Sequence, residues 1–586
     1  MGRLITLMIG MLLMITIHIE AADFETAKEA VKNMGLGWNL GNTLEANNQT
    51  VTTDITSEAF WGQQGLESET CWGQYPTTPE LLKMMKEAGF GAIRVPVTWY
   101  NHMDKDGNVD AAWMARVHEV VDYVMNQGMY CIINVHHDTG ADGNSFKSWI
   151  KADEANYAQN KNRYEKLWRQ IAEEFKDYDQ HLLFESYNEM LDKLSSWCFA
   201  SFAASGQYDA SVATSAYNAI NSYAQSFVTT VRATGGNNAQ RNLIVNTYGS
   251  CSGGGTWNQH LKDPLKEMNY PTDAAGEGRI IFQVHAYPSL VNTDNKGKIT
   301  GNRTISSIKS EIDEMINGWN THLVSKGAPV ILGEWGTSNV DADVTDYDAR
   351  HELMFQFCEY LVQQCKANDI ATFYWMGLTD GMARFFPAFS QPDLAKTILQ
   401  AYHGSSFNPV LPDAKDFSIS CTVDYNQQWG EFNLYKGSSF TSADYSSVVL
   451  ELEDAPASGL LQWKVSWTKY SNGYTRDITS AESTLAFAAN MGTITGITLQ
   501  CKQSSGRVRI KSVKLKNRNG EELPCSPSVA WGCTMSDVTA NSSTGIYVMK
   551  QDQPSDGKIY DLSGRLLKQR PKKGLYLMNG KKIVVN

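Results

Sequence analysis

Thr78-Pro79-Glu80-Leu81-Leu82-Lys83-Met84-Met85-Lys86-Glu87-Ala88-Gly89-Phe90-Gly91-Ala92-Ile93-Arg94-Val95-Pro96-Val97 contains one complete structural unit. Threonine caps a helix by accepting from a first-turn amide, proline suits that turn because it has no amide hydrogen to leave unpaired, and glycine ends the helix. Between these signals Leu81, Leu82, Met84 and Met85 fall on one face at helical spacing. The short apolar run 92–97 follows at once and reads as a strand. The unit is therefore helix, turn, strand. It recurs downstream, where Tyr164, Leu167, Trp168, Ile171, Ala172 and Phe175 line one face of a helix and a strand at 182–186 follows.

Working outward, the same alternation covers residues 25–404, with strands expected at 36–39, 92–97, 130–135, 182–186, 243–246, 280–285, 330–332 and 372–375. Eight strands separated by helices point to an α/β fold, a (β/α)8 TIM barrel with enlarged loops, rather than an open doubly wound sheet, which usually has fewer units. No glycine-rich phosphate loop competes. In such a barrel the active site lies at the C-terminal ends of the strands, so polar residues that follow each apolar run are the candidates for chemistry.

The character changes at 404–413. From 414 to 520 polar and apolar residues alternate without a helical period, at 417–423, 447–452, 461–467, 497–502 and 508–515, the pattern of a β-sandwich. Its aromatics, Trp429, Tyr435, Trp463, Trp467, Tyr470 and Tyr474, suit either a core or a sugar-binding platform. At the N-terminus Arg3, an apolar run from Leu4 to Ile17, and then Ala21 and Ala22 read as a signal peptide. The expected organisation is a signal peptide at 1–22, a catalytic barrel at 23–408 and an accessory sandwich at 412–520. A Ser-, Pro-, Asn- and Gly-rich linker at 521–545 and a small β tail at 546–586 complete it.

The net charge of −12 and the lack of clustered Lys and Arg argue against a nucleic-acid partner, and no other protein partner is indicated. An uncharged or basic substrate is favoured. The ten cysteines include no CxxC pair and no Cys/His cluster, so structural zinc is not expected, nor is any other metal or cofactor. Export permits disulfides, and Cys421 with Cys501 or Cys525 with Cys533 are candidate pairs; Cys131 reads as simply buried.

Two glutamates stand at strand ends. Glu189 follows Leu182-Leu183-Phe184-Glu185-Ser186-Tyr187-Asn188, and Glu334 follows Val330-Ile331-Leu332-Gly333. Glycoside hydrolysis needs two carboxyl groups about the anomeric carbon, one to protonate the leaving oxygen and one to attack or to activate water. At other strand ends lie Arg94, His136 with His137, His285 with Tyr287, and Trp375. A solvated rim has no reason to gather Arg, His, Tyr and Trp at one depth.

Six motifs agree in order: Gly37-Trp38-Asn39-Leu40-Gly41-Asn42-Thr43-Leu44-Glu45, Ile93-Arg94-Val95-Pro96-Val97-Thr98-Trp99, Asn134-Val135-His136-His137-Asp138, Phe184-Glu185-Ser186-Tyr187-Asn188-Glu189, Val284-His285-Ala286-Tyr287 and Gly333-Glu334-Trp335-Gly336. On these the chain resembles glycoside hydrolase family 5, and its glucanase-rich subfamily 4 in particular, over residues 30–404. The resemblance implies that Glu334 is the nucleophile and Glu189 the general acid/base. It further implies that Arg94, Asn188, Tyr287, His136, His137, His285, Asn42 and Trp99 support or bind the substrate, with Trp375 as a stacking floor.

The activity implied is that of a secreted, retaining endo-β-1,4-glucanase acting on a β-glucan. A xyloglucan-specific endoglucanase or a β-mannanase on the same barrel stays open, as does a non-catalytic surface protein that binds polysaccharide. The final segments, Lys558-Ile559-Tyr560-Asp561-Leu562-Ser563-Gly564-Arg565 and 574–585, resemble the sorting tails of proteins exported by the type IX route, which implies an extracellular or cell-surface location.

Overall fold

A computed structural model of the chain describes residues 24–48, 52, 54–141, 148–195, 210–253, 264–294, 296, 298–337, 347–414, 417–467, 470–520, 522–525, 527–542 and 545–548, and strand residues 559–560, 566–567, 574–578 and 581–585. Eight parallel strands close into a barrel: β1 (Leu36–Asn39), β2 (Ala92–Val95), β3 (Tyr130–Asn134), β4 (Leu182–Glu185), β5 (Leu243–Cys251), β6 (Ile280–Ala286), β7 (Val330–Trp335) and β8 (Ala371–Trp375), with β8 pairing back onto β1. The helix Pro79–Ala88 forms as its sequence dictates. The Thr78 side chain accepts from the Leu81 amide, Pro79 opens the first turn, Gly89 closes the helix at φ 118°, and Leu81, Leu82, Met84, Met85 and Ala88 are buried.

The barrel interior is divided along its axis. Its lower part is apolar, lined by Ala92, Ile132, Leu183, Ile244, Ile281, Ile331 and Phe373. The helix Ala27–Met34, held at its start by a Thr26/Glu29 capping box, adds Ala27, Ala30, Val31 and Met34 to the same cluster and plugs that end. Chemistry is thereby confined to the other end, where the strands finish.

Two antiparallel sheets follow. One places Tyr470–Ile478, Leu461–Trp467, Thr493–Cys501, Glu431–Thr441 and Ser528–Trp531 side by side. The other runs Glu482–Ala486, Tyr445–Leu452, Gly506–Asn517, Phe417–Tyr425, Cys533–Ser542 and Gly545–Val548, with Glu522–Pro524 paired to Gly506–Asn517. Their core includes Phe432, Leu434, Leu450, Trp463, Leu499 and Ile510, and it also takes Met382 and Phe386 from the loop after β8. Tyr75 packs on this cluster and its hydroxyl donates to the Pro527 carbonyl at 3.0 Å. The sandwich is therefore seated on the barrel's last loop.

The expected linker at 521–545 is corrected. Cys533–Ser542 is a full sandwich strand, paired with Phe417–Tyr425 from Phe417↔Ser542 to Tyr425↔Cys533, and Val538 and Ala540 are buried. Alternate residues of this stretch face the core, which its polar composition hides. The nine described cysteines are all free thiols, so neither candidate disulfide is formed. Cys421 and Cys501 lie on different sheets, and the thiols of Cys501 and Cys533 instead donate to the Gln503 and Glu431 carbonyls. The final strands Ile559–Tyr560, Leu566–Leu567, Gly574–Met578 and Lys581–Val585 make a separate four-stranded sheet. The expected signal peptide lies outside the described residues, and no helix among them is long and apolar enough to cross a membrane.

Candidate active site

Arg94 is the hub. It sits on β2 with no exposed surface, and its guanidinium makes five hydrogen bonds inside the upper barrel. Nε and Nη2 grip the Glu185 carboxylate at 2.6 and 2.8 Å; Nη2 also donates to Asn188 Oδ1 at 2.8 Å; Nη1 donates to Asn39 Oδ1 at 2.9 Å and to Glu334 Oε1 at 2.6 Å. A buried cation is tolerated only when its donors are met by carboxylates and amides, and every neighbour here is one or the other. Glu185 and Asn39 lie inside the motifs, which imply no role for either. Asn134 and Asn246, each donating to Glu185 Oε1, at 3.1 and 3.0 Å, were likewise missed. The signal was present: each is a buried polar residue within an otherwise apolar barrel strand.

Glu334 reaches its place through a local irregularity. Between β6 and β7 the pairing shifts from Val284↔Leu332 to His285↔Glu334, so Gly333 is the extra residue of a β-bulge. A Cβ at Gly333 would lie 2.3 Å from the Gln283 side chain, so only glycine fits there. The bulge sets Glu334 beside His285, with Arg94 on Oε1 and the Tyr287 hydroxyl donating to Oε2 at 2.9 Å.

Glu189 stands just past β4, accepting at Oε1 from His285 Nδ1 at 2.9 Å. One carboxylate oxygen of Glu189, one of Glu334 and a ring nitrogen of His285 all lie within 4.8 Å of one another. Three such atoms have the spacing of a cation site, but they are the two carboxylates of the candidate pair, so an ion held there would exclude a sugar.

The two carboxyl groups differ in environment. Burial pushes both upward, but Glu334 is opposed by the Arg94 charge, the Arg94 hydrogen bond and the Tyr287 hydrogen bond. Glu189 has burial and then the charge of Glu334 pushing it well above the usual carboxylate range, and Arg94 opposes this only through space. Glu189 is thus the one that holds a proton. Burial lowers His285 well below the ordinary histidine value, so its ring is neutral; with the Gln283 amide nitrogen 3.3 Å from Nε2, the proton sits on Nδ1 and points at Glu189.

Of the other expected residues, His136 and Trp375 come together with rings nearly parallel, at 7° and 6.0 Å between centroids. Gly41 lies against Trp375, where a Cβ would approach the indole to 3.0 Å. His137 packs edge-on to His136 and against Trp72. Asn42 holds a left-handed turn at φ 60° whose amide donates to Glu45. Trp99, expected to support or bind the substrate, takes a supporting place. It is fully buried, and its indole N–H donates to the Asn134 carbonyl at 2.9 Å, so it braces the wall from behind.

Comparison with known proteins gives the family. Residues 47–379 match the family model described as Cellulase (glycosyl hydrolase family 5). Endoglucanase B of Neocallimastix patriciarum is 33% identical over 60% of this chain and 64% of its own length. Endoglucanase A of Paenibacillus barcinonensis is 31% identical over 65% of this chain and 91% of its own. The chain thus spans under two thirds of the first of these relatives and nearly all of the second. Among solved structures, a GH5-4 broad specificity endoglucanase from an uncultured bacterium is 65% identical, covers 65% of this chain and 96% of its own, and superposes with a TM-score of 0.57. A family 5 enzyme of Prevotella bryantii B14, solved with a xyloglucan tetradecasaccharide, is 39% identical over 65% of this chain and 99% of its own, with a TM-score of 0.53. Since the family match takes in more than half of the chain, including the site residues from Arg94 to Trp375, the protein belongs to glycosyl hydrolase family 5.

Proposed function

We propose that this protein is a secreted endo-β-1,4-glucanase that cleaves by double displacement, with Glu334 as nucleophile and Glu189 as general acid/base. The observation that carries the reading is the close approach of two carboxylates in unequal environments, one ion-paired to Arg94 and one holding a proton. A separation of about 5–5.5 Å suits attack without an intervening water, whereas activation of a water needs about 6.5–9.5 Å. The oxygen spacing under 4.8 Å supports the first.

Glu334 attacks the anomeric carbon while Glu189 gives its proton to the departing oxygen. Formation of the ester removes the charge on Glu334, and with it the repulsion that kept Glu189 protonated. Glu189 then takes a proton from the water that opens the ester, and Glu334 leaves. Asn188, whose side-chain oxygen is engaged by Arg94, keeps its amide N–H groups for a sugar hydroxyl.

Replacement of Glu334 by Ala should remove nearly all turnover on a soluble β-glucan, and added azide should then yield a glycosyl azide of inverted configuration. Wild-type turnover in that variant would end the assignment. A second reading, cleavage of xyloglucan, is favoured by the Prevotella relative's complex with a xyloglucan tetradecasaccharide. Parallel rates on lichenan, xyloglucan and glucomannan decide between them. Export is supported by the N-terminal apolar run and the sorting-like tail, and is tested by N-terminal sequencing of protein recovered outside the cell.

A further inference from the structure

The five-stranded sheet of the sandwich turns alternate residues inward and outward. Leu461, Trp463, Val465, Ile497, Leu499, Phe432 and Leu434 are its core face. The opposite face carries a row set by strand register: Trp531 opposite Glu431, Glu431 opposite Gln500, Gln500 opposite Gln462. The row is joined side chain to side chain. Gln462 donates to Gln500 Oε1 at 2.6 Å, and Gln500 and Lys464 donate to Glu431 Oε1 at 2.8 and 2.6 Å. Gln462 and Gln500 keep only 8% and 9% of their surface, so the ladder satisfies amides that water no longer reaches, while Lys464 and Glu431 at its edge keep 28% and 18% of theirs.

Two tryptophans border it. Trp531 and Trp429 are each 45% exposed, unlike Trp463, which is buried in the core. They flank the point where Gly430 and Gly532 meet: a Cβ on Gly430 would come within 2.6 Å of the Gly532 carbonyl. Trp429 holds a φ of 66°, a region unfavourable for a bulky side chain, and its amide is tied to the Cys501 carbonyl at 2.7 Å. A glycine there would be relaxed. The charges of the strip are paired off within it, Lys464 with Glu431 at 2.6 Å and Lys502 with Asp477 at 2.7 Å, which leaves no net attraction for a charged polymer.

We propose that this strip is a carbohydrate-binding surface for an uncharged β-1,4-linked glucan, with Trp429 and Trp531 stacking on pyranose faces and the part-exposed Lys464 and Glu431 beside Trp531 meeting the hydroxyls. Indoles offer flat apolar area with little entropy to lose, and an ammonium beside a carboxylate offers a donor and an acceptor at the rim of a ring. The inference rests on the proposed glucan substrate of the barrel. A second grip on the same polymer raises the local concentration of substrate without adding a contact in the active site.

The test uses the full chain carrying Glu334→Gln, so that the polymer survives, in native gels containing hydroxyethylcellulose. Adding Trp429→Ala and Trp531→Ala should raise the apparent dissociation constant at least five-fold, the barrel's own contribution being the same in both proteins. With Glu334 restored, the paired tryptophan variants should cut cellotetraose at the parental kcat/KM and lose rate on amorphous cellulose. Tyrosine at both positions should keep most of the retardation. Unchanged retardation in the alanine variant overturns the proposal. So does an equal loss in the tyrosine and alanine variants, which would mark a packing defect, or equal retardation by anionic polygalacturonate. Failure of the parent to cut cellotetraose would count against the glucanase reading alone, since the gel reads no hydrolysis.

Discussion

The upper barrel and the outer face of the sandwich are both cross-strand rows of polar side chains, and both hold an ion pair at 2.6 Å: Arg94 with Glu334 in one, Lys464 with Glu431 in the other. Distance does not separate them. In the barrel the guanidinium has no exposed surface, whereas Lys464 and Glu431 keep 28% and 18% of theirs. Water can replace a lost partner in the sandwich and cannot in the barrel, so equal geometry should have unequal consequences.

The largest effect expected is at Arg94. Arg94→Met leaves Glu185 and Glu334 buried without their cation, which should cost about 3–5 kcal/mol of stability by chemical denaturation and abolish turnover. A loss no greater than at the sandwich pair would break the comparison. Next, Glu189→Gln should lower kcat on unactivated glucan by about 10²–10⁴-fold, and by less on aryl glycosides whose leaving groups need no proton.

A smaller effect is electrostatic. Because the negative charge of Glu334 helps to raise Glu189, Glu334→Gln should move the Glu189 titration, followed by carbon NMR of labelled glutamate, to lower pH. In the wild type the sign is that activity falls as pH rises through the raised Glu189 value, because the acid is then lost. An unmoved titration would mean that burial alone raises it. The smallest effect is at the sandwich, where Lys464→Ala should change stability by under about 1 kcal/mol in the same denaturation assay.

The barrel was legible because its helices announce themselves by caps and faces, as Thr78 to Gly89 do, and because apolar strands follow them directly. Strand ends were less so. The expected strand at 330–332 extends to Trp335 and that at 243–246 extends to Cys251, since the polar residues that carry function continue the same extended backbone. In the site, Glu189, Glu334, Arg94, Asn188, His285 and Tyr287, all named from the motifs, lie together in one hydrogen-bonded cluster. Glu185, Asn39, Asn134 and Asn246 went unassigned because an isolated polar residue within a strand reads as unremarkable until the closed barrel sets it against Arg94. The bulge at Gly333 has no signature in sequence beyond the glycine itself. The 521–545 stretch was misread for the opposite reason: its composition is that of a linker, and only pairing with Phe417–Tyr425 reveals its alternation.

Met382 and Phe386 belong to the loop after β8 yet sit in the sandwich core, while Arg384 between them donates to the carbonyls of Gly41 and Thr379 and lies over the Trp38 ring. Three residues of one short helical turn thus serve two cores. Heat should therefore not melt the units one after the other. Differential scanning calorimetry is expected to show a single cooperative endotherm for both, and Phe386→Ala, which loosens only the sandwich side of the turn, is expected to split it in two.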